Sequence, residues 1–376
     1  MIQVLNWNCG KIASTGSGSA RTASLAMAAL RSISLLSRIR KQYALLFLVI
    51  VALSSVPIPA SAQEIWLSGV SPFVRQKMFQ ESQSDYFEIL KPDAAWPQSA
   101  QHVKVFMING GVVMHESDEQ VQALFDYLKR RHIALALEMG LLSGKGPDGK
   151  VQECGVGVEG FGAPDTAKVL ANRIQRNGGV VDYIAMDEPL WYGHHFAGKN
   201  GCQWPMERVA QDMVSRIADM RAKFPNMQIG DVEPIGTAQP PDWVRQITEW
   251  THVYQKVTGT KLAFFHADVV WTAPIWQQQF SGVRSLMHAD GIKFGVIYDG
   301  GGTGKQESDL LWAQEAEQRF RLVESAPSLV PDHAVFQSWA RWPHKMLPET
   351  QPGTMTNLVL QYVNWKYSRG QEVSHE

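Results

Sequence analysis

The chain has 376 residues and a formal net charge of −1, with 35 basic and 36 acidic residues. Residues 1–62 contain six basic and no acidic residues, so the remainder has 29 basic against 36 acidic residues and a formal charge of −7. This acidic balance argues against nucleic acid and other polyanionic partners, which bind through basic patches that release counterions. It favours a neutral substrate.

Residues 1–62 have the pattern of an export segment. A basic cluster at 38–41 precedes the apolar stretch YALLFLVIVALSSV, and small residues follow at 60–62. The stretch of about 14 residues is shorter than the roughly 20 that a membrane-spanning helix needs. We therefore predict a misassigned N-terminal extension, a signal peptide cleaved after Ala62, and a secreted or periplasmic domain at 63–376 with no stable membrane span. A retained membrane anchor is the alternative.

Eight short apolar segments alternate with polar or Gly-rich loops and amphipathic helices in the rest of the chain. The predicted strands are 64–71, 104–110, 133–140, 183–189, 228–234, 261–268, 293–300 and 334–340. Eight strands that alternate with helices predict an α/β fold, a closed parallel (β/α)8 TIM barrel in a single domain. An open doubly wound sheet is the alternative, but the chain lacks its glycine fingerprint for phosphate. We expect the protein to be a monomer.

The helix patterns differ in strength along the chain. Ser117 and Gln120 have the spacing of a capping box before an amphipathic helix. The segment 205–224 brings Val209, Met213, Ile217 and Met220 to one face. The stretch 73–100 is irregular and gives the weakest helix pattern.

Two cysteines remain once Cys9 is removed with the signal segment. Cys154 and Cys202 lie in loops that follow the third and fourth predicted strands. In an oxidising compartment, such an isolated pair predicts a disulfide, with two free buried thiols as the alternative.

Acidic and polar side chains recur where the predicted strands end. They are Glu138, Asp187, Glu188, Asp231, Glu233, His266, Asp268, Tyr298, Asp299 and Trp339. The carboxyl ends of barrel strands converge on one face, so we expect these residues to line a common site. Carboxylates gathered this closely repel one another unless a ligand, a cation or a shared proton relieves the charge.

Three functions fit such a ring of carboxyl groups. Glycoside hydrolysis needs one protonated carboxylic acid and one ionised carboxylate, and it needs flat aromatic surfaces such as Trp191 and Trp339 for the sugar. A divalent metal held by strand-end carboxylates is the second possibility, although the histidines expected of such a site are few. A barrel that binds an oligo- or polysaccharide without cleaving it is the third. Glycoside hydrolysis by carboxyl groups requires no cofactor or metal.

The segment MDEPLW resembles the strand-4 motif of the retaining β-glycosidases with (β/α)8 barrels, in which Asn-Glu-Pro ends the strand. The resemblance implies that Glu188 is the acid/base and that Trp339 forms the floor of the sugar-binding site. Asp187 stands where the family has an Asn that contacts the sugar. Asp299 stands where the family has a nucleophilic Glu. Because Asp is one methylene shorter, either the backbone lies closer to the sugar, or the enzyme inverts through water, or the nucleophile lies elsewhere, with Glu233 as the next candidate.

The predicted catalytic residues are therefore Glu188, Asp299 and Glu233. The predicted substrate-binding residues are Asp187, Glu138, His266, Asp268, Tyr298, Trp191 and Trp339. Apolar neighbours and the adjacent charge of Asp187 are expected to raise the pKa of Glu188, as a general acid near neutral pH requires.

Overall fold

The computed structural model describes residues 63–81, 83–145, 152–236, 242–301 and 308–373. The predicted signal segment and N-terminal extension, residues 1–62, lie outside the described residues.

Eight parallel strands close into a barrel in chain order, each hydrogen-bonded to the next and β8 to β1. The strands are β1 Glu64–Ser68, β2 Val103–Asn109, β3 Ala134–Met139, β4 Tyr183–Asp187, β5 Gln228–Ile235, β6 Phe264–Val269, β7 Lys293–Ile297 and β8 His333–Gln337. The predicted TIM barrel is confirmed. The barrel closes where β1 pairs with β8. Glu64 lies opposite His333 at one end of this pairing, and Ser68 lies opposite Gln337 at the other.

Helices follow the strands and cover the outside of the barrel. They are α1 Pro72–Val74, α2 Gly110–His115, α3 Asp118–Arg131, α4 Thr166–Arg176, α5 Met206–Arg221, α6 Trp243–Thr258, α7 Trp276–Ala289, α8 Asp309–Glu324 and α9 Met355–Val373. The Ser117–Gln120 capping box forms in both directions, with N···O distances of 3.2 and 3.0 Å. Between β1 and β2, α1 is a single turn, and only short helical turns follow it.

The hydrophobic core has two parts, as the alternation of side chains along each strand requires. Inside the barrel, small and large side chains such as Trp66, Ala136, Ala185 and Phe264 pack together. The larger part lies between the strands and the helices, where the predicted apolar face of α5 is buried. The filled interior makes the barrel a packed support, so a ligand has to bind at the strand ends.

A disulfide joins Cys154 to Cys202, with their Cα atoms 5.2 Å apart. It links the loop after β3 to the loop after β4, which confirms the predicted pairing. Both loops lie at the carboxyl-terminal end of the barrel, so the bridge braces that end.

None of the helices within the described ranges is both long enough and apolar enough to cross a membrane.

Candidate active site

The mouth of the barrel, meaning its carboxyl-terminal end, is lined by side chains from the inward positions of the strands. Ala136, Ala185 and Ile297 belong to the apolar interior. Two residues further along the same strands, the inward positions carry Glu138, Asp187 and Asp299. The change from apolar to acidic therefore occurs at the same step on β3, β4 and β7. Asp268 and Gln337 occupy the corresponding inward faces near the ends of β6 and β8.

Glu188 follows β4 directly and has a left-handed backbone, with φ of 46°. Its side chain is only 8% exposed and makes a hydrogen bond with the carboxyl group of Asp268. Burial, followed by the negative charges of Asp268, Glu233, Asp187 and Glu159, raises the pKa of Glu188 well above its ordinary value. This environment favours the protonated form of Glu188.

Asp268 is the other member of this carboxyl pair. Burial and the neighbouring charge of Asp299 raise its pKa to about 7, while the hydrogen bond with Glu188 opposes the rise. Two carboxyl groups in contact cannot both ionise cheaply, so one proton between them is the stable arrangement near neutral pH.

Asp299 has a different environment on the neighbouring strand. Its Oδ1 accepts hydrogen bonds from the Trp271 indole and from the Arg319 guanidinium, each at 2.9 Å. Burial raises the pKa of Asp299 to about 6, and the positive charge of Arg319 and the indole hydrogen bond limit that rise. Asp299 is therefore mostly ionised at neutral pH, whereas the surroundings of Glu188 favour its protonated form.

Two further carboxyl groups complete the acidic lining. Glu138 accepts a hydrogen bond from the amide of Gln337 at 2.7 Å, and burial raises its pKa. Burial and the charges of Glu138 and Glu159 raise the pKa of Asp187 well above its ordinary value, although the backbone N–H of Gly160 donates to it.

Sequence reasoning missed Glu159, Tyr192, Arg319 and Gln337. The hydroxyl of Tyr192 donates to Glu159 at 2.6 Å, between the loops after β3 and β4. Glu159 lies in the Gly-rich run GVEGFG, which had no strand pattern to draw attention to it. Gln337 could have been found, because it lies two residues beyond an inward-facing Val335 on a predicted strand.

The two tryptophans predicted to bind substrate differ in position. Trp339 is 47% exposed and lines a cavity of about 280 Å³ together with Asp268, Trp271 and Asp299. Trp191 is partly buried, and its ring packs edge-on against Trp243 of the core with centroids 6.0 Å apart. Trp339 is thus the tryptophan with a free ring surface at the mouth.

Tyr298 and His266 do not reach the mouth, which corrects the expectation for both. Tyr298 follows the inward Ile297 and so faces outward, where its hydroxyl donates to Glu324 at 2.8 Å. His266 is fully buried deeper in the barrel, with a ring nitrogen 3.0 Å from that of His333. Burial lowers the pKa of His266 well below its ordinary value, so it is neutral.

Glu233 and Asp231 also lie outside the mouth. Glu233 is fully buried and accepts the backbone N–H groups of Leu190 and Trp191, at 2.6 and 3.0 Å. Asp231 accepts the indole N–H of Trp250 from α6 at 2.7 Å. Glu233 therefore supports the turn after Glu188. It is too buried for the contact with a sugar that a nucleophile needs.

In the part of the chain that the structure describes, no group of three or more His, Cys, Asp and Glu side chains is arranged to hold a metal ion.

No family model and no curated protein matches this sequence. Similar solved structures include the GH53 catalytic domain of Ignisphaera aggregans, with a TM-score of 0.48 at 9% identity over 81% of this chain and 97% of that one. A fungal β-1,4-galactanase has a TM-score of 0.46 at 10% identity over 79% and 99%. A citrate synthase variant has 0.39 at 7% identity over 84% and 96%. These likenesses concern the barrel fold, which hosts several chemistries. The closed sheet and the carboxyl groups at its mouth define the chain as a (β/α)8 barrel with an acidic mouth.

Proposed function

We propose that this protein hydrolyses glycosidic bonds, with Glu188 as the general acid and Asp299 as the ionised carboxylate. The observation that carries the proposal is the contrast between two carboxyl groups at one mouth. Burial and like charges raise the pKa of Glu188 well above its ordinary value, whereas burial raises that of Asp299 only to about 6 because Arg319 and the Trp271 indole limit the rise. Glycoside hydrolysis requires this pairing of a proton donor with a carboxylate.

In this mechanism, Glu188 donates its proton to the oxygen of the leaving sugar as the glycosidic bond breaks. Asp299 stabilises the positive charge that develops on the remaining sugar, either as a nucleophile or as a base toward water. Asp268 holds the proton and orientation of Glu188 through their hydrogen bond. The half-exposed ring of Trp339 offers a flat surface on which a sugar can stack.

We further propose that the protein acts on an oligo- or polysaccharide outside the cytoplasm. The disulfide between Cys154 and Cys202 supports an oxidising compartment such as the periplasm or the extracellular space. The basic cluster, apolar stretch and small residues that end at Ala62 support export.

Glu188→Gln tests the proposal. The variant keeps the size of the side chain but cannot donate a carboxyl proton, so we expect kcat to fall roughly a thousandfold. Release of reducing ends from a panel of oligosaccharides measures the effect. Glu249→Gln is the matched control, because Glu249 is an exposed residue on α6 whose partner is the exposed Arg245. Full activity of Glu188→Gln would remove Glu188 from the chemistry.

A barrel that binds sugar without cleaving it is the second candidate. It is favoured by the engagement of Asp299 with both Trp271 and Arg319, since a nucleophile has to be free to approach the sugar. Saturable binding of an oligosaccharide with no product over long incubation would support this candidate against the hydrolase.

A further inference from the structure

The mouth presents many hydrogen-bond acceptors close together. Glu138, Asp187, Glu188 and Asp268 lie close enough for their charges to act on one another, and Glu159 acts on all four. Each added negative charge makes ionisation of the others more costly. A cation bound among these carboxyl groups would lower that cost.

Arg319 does not supply that counter-charge. Arg319 is 7% exposed, and its guanidinium donates to Asp299 through one nitrogen and to the carbonyl of Gly301 at 2.6 Å through another. Among the described residues, no lysine, arginine or histidine is a main influence on the four carboxyl groups. An anionic sugar would meet repulsion here.

Gln337 gives an independent indication of a missing donor. It is only 4% exposed, and it faces inward on β8 like Val335. Its amide nitrogen donates across the mouth to Glu138, while its Oε1 has no hydrogen-bond partner. A buried acceptor without a partner is costly, so a ligand that brings an N–H group to this position would be stabilised.

We infer that the mouth binds a cationic amino sugar, with the protonated amine donating to Glu138, Asp187 and Gln337. An ammonium group offers three donors and a positive charge, so it satisfies both the carboxyl groups and the unpaired amide oxygen. That the ligand is a sugar rests on the proposed function; that it is cationic rests on the lining of the mouth alone.

The test compares two oligosaccharides that differ only in charge: a tetramer of glucosamine and the matching tetramer of N-acetylglucosamine. Calorimetric titration of the disulfide-intact protein at about pH 6 keeps the amines protonated. We expect the glucosamine tetramer to bind roughly tenfold more tightly at low salt, with the ratio falling as salt screens the charges. Binding of the amine should also release protons, seen as a dependence of the heat on the buffer, because it favours the ionised carboxylates.

Glu138→Gln provides the variant arm. It removes an ionisable carboxyl group and keeps a side chain that can still pair with Gln337, so we expect the glucosamine tetramer to lose roughly tenfold in affinity and the N-acetylated tetramer to lose clearly less. Glu249→Gln should change neither. The two-ligand comparison on the unaltered protein needs no variant to fold.

Product release is measured on the same panel, so the two proposals can fail separately. Equal or tighter binding of the N-acetylated tetramer overturns the cationic inference, and products formed from it would still uphold the hydrolase. Selective binding of the glucosamine tetramer without any product upholds the inference and overturns the hydrolase. Binding of neither tetramer overturns the inference.

Discussion

Glu188 is held in a backbone conformation that its residue type disfavours. A left-handed φ costs a residue with a side chain about 1–2 kcal/mol, and the φ of 46° is maintained by two hydrogen bonds. The N–H of Glu188 donates to the carbonyl of Val232 at 3.1 Å, and its own carbonyl accepts the N–H of Tyr192 at 2.9 Å. Strain of this kind persists where the surroundings enforce it, and it is typical of functional positions.

Glu188→Gln should make the protein more stable at high pH. Because folding raises the pKa of Glu188, the folded chain binds more protons than the unfolded chain, and the stability of the unaltered protein falls as pH rises above the ordinary carboxyl value. Glutamine removes this loss, so the gain in free energy of unfolding should be larger at about pH 8 than at about pH 5. Denaturant unfolding at both pH values measures it. A gain that is equal at the two pH values would contradict a raised pKa.

At the scale of elements, β5 controls the geometry of the tip of β4. Glu233 accepts the N–H groups of Leu190 and Trp191, the first residues of the turn after Glu188 and Pro189. These are N–H groups without partners inside the turn, so the carboxylate both caps the turn and sets where Glu188 points. Glu233 is thus a positioning residue for the proposed acid.

Glu233→Gln should lower kcat with little change in KM. One of the two backbone N–H groups would face an amide NH₂ instead of an oxygen, which costs about 1–3 kcal/mol of stability. The turn would then shift Glu188, while the sugar-binding surface at Trp339 is unchanged. Steady-state kinetics together with thermal unfolding measure the two effects, and Glu249→Gln is the control. A rise in KM at constant kcat would argue against the positioning role.

At the scale of the whole molecule, the disulfide braces the rim of the mouth. It connects positions 48 residues apart, and the loops it joins also meet at the hydrogen bond between Tyr192 and Glu159. Because Glu159 raises the pKa of Glu188 and Asp187, the bridge helps to maintain the electrostatics of the mouth.

Replacing both Cys154 and Cys202 by serine should destabilise the protein by about 2–4 kcal/mol, since the unfolded chain gains freedom when this loop is opened. Thermal unfolding with and without a reductant measures the loss. The reductant should lower the melting temperature of the unaltered protein and leave that of the double variant unchanged. Equal melting temperatures for the two proteins without reductant would show that the bridge does not brace the fold.

Much of the fold follows from local patterns in the sequence. The eight strands were predictable because each is a short apolar run bounded by turn residues, and the capping box at Ser117 because its spacing is local. The first helix was not predictable, because the stretch after β1 forms only short turns that leave no periodic apolar face. The pairing of Cys154 with Cys202 was predictable because residues 63–376 contain no other cysteine.

The contacts among the acids were decided by the tertiary structure alone. The sequence determined which residues end the strands, since alternation and turn signals act over a few residues. It could not determine that Glu188 meets Asp268 across the mouth, that Glu233 turns to the backbone of the β4 tip, or that Tyr298 faces outward. Those outcomes depend on the register and tilt of a closed barrel and on the reversal of the backbone at Glu188, which together set which distant side chains converge.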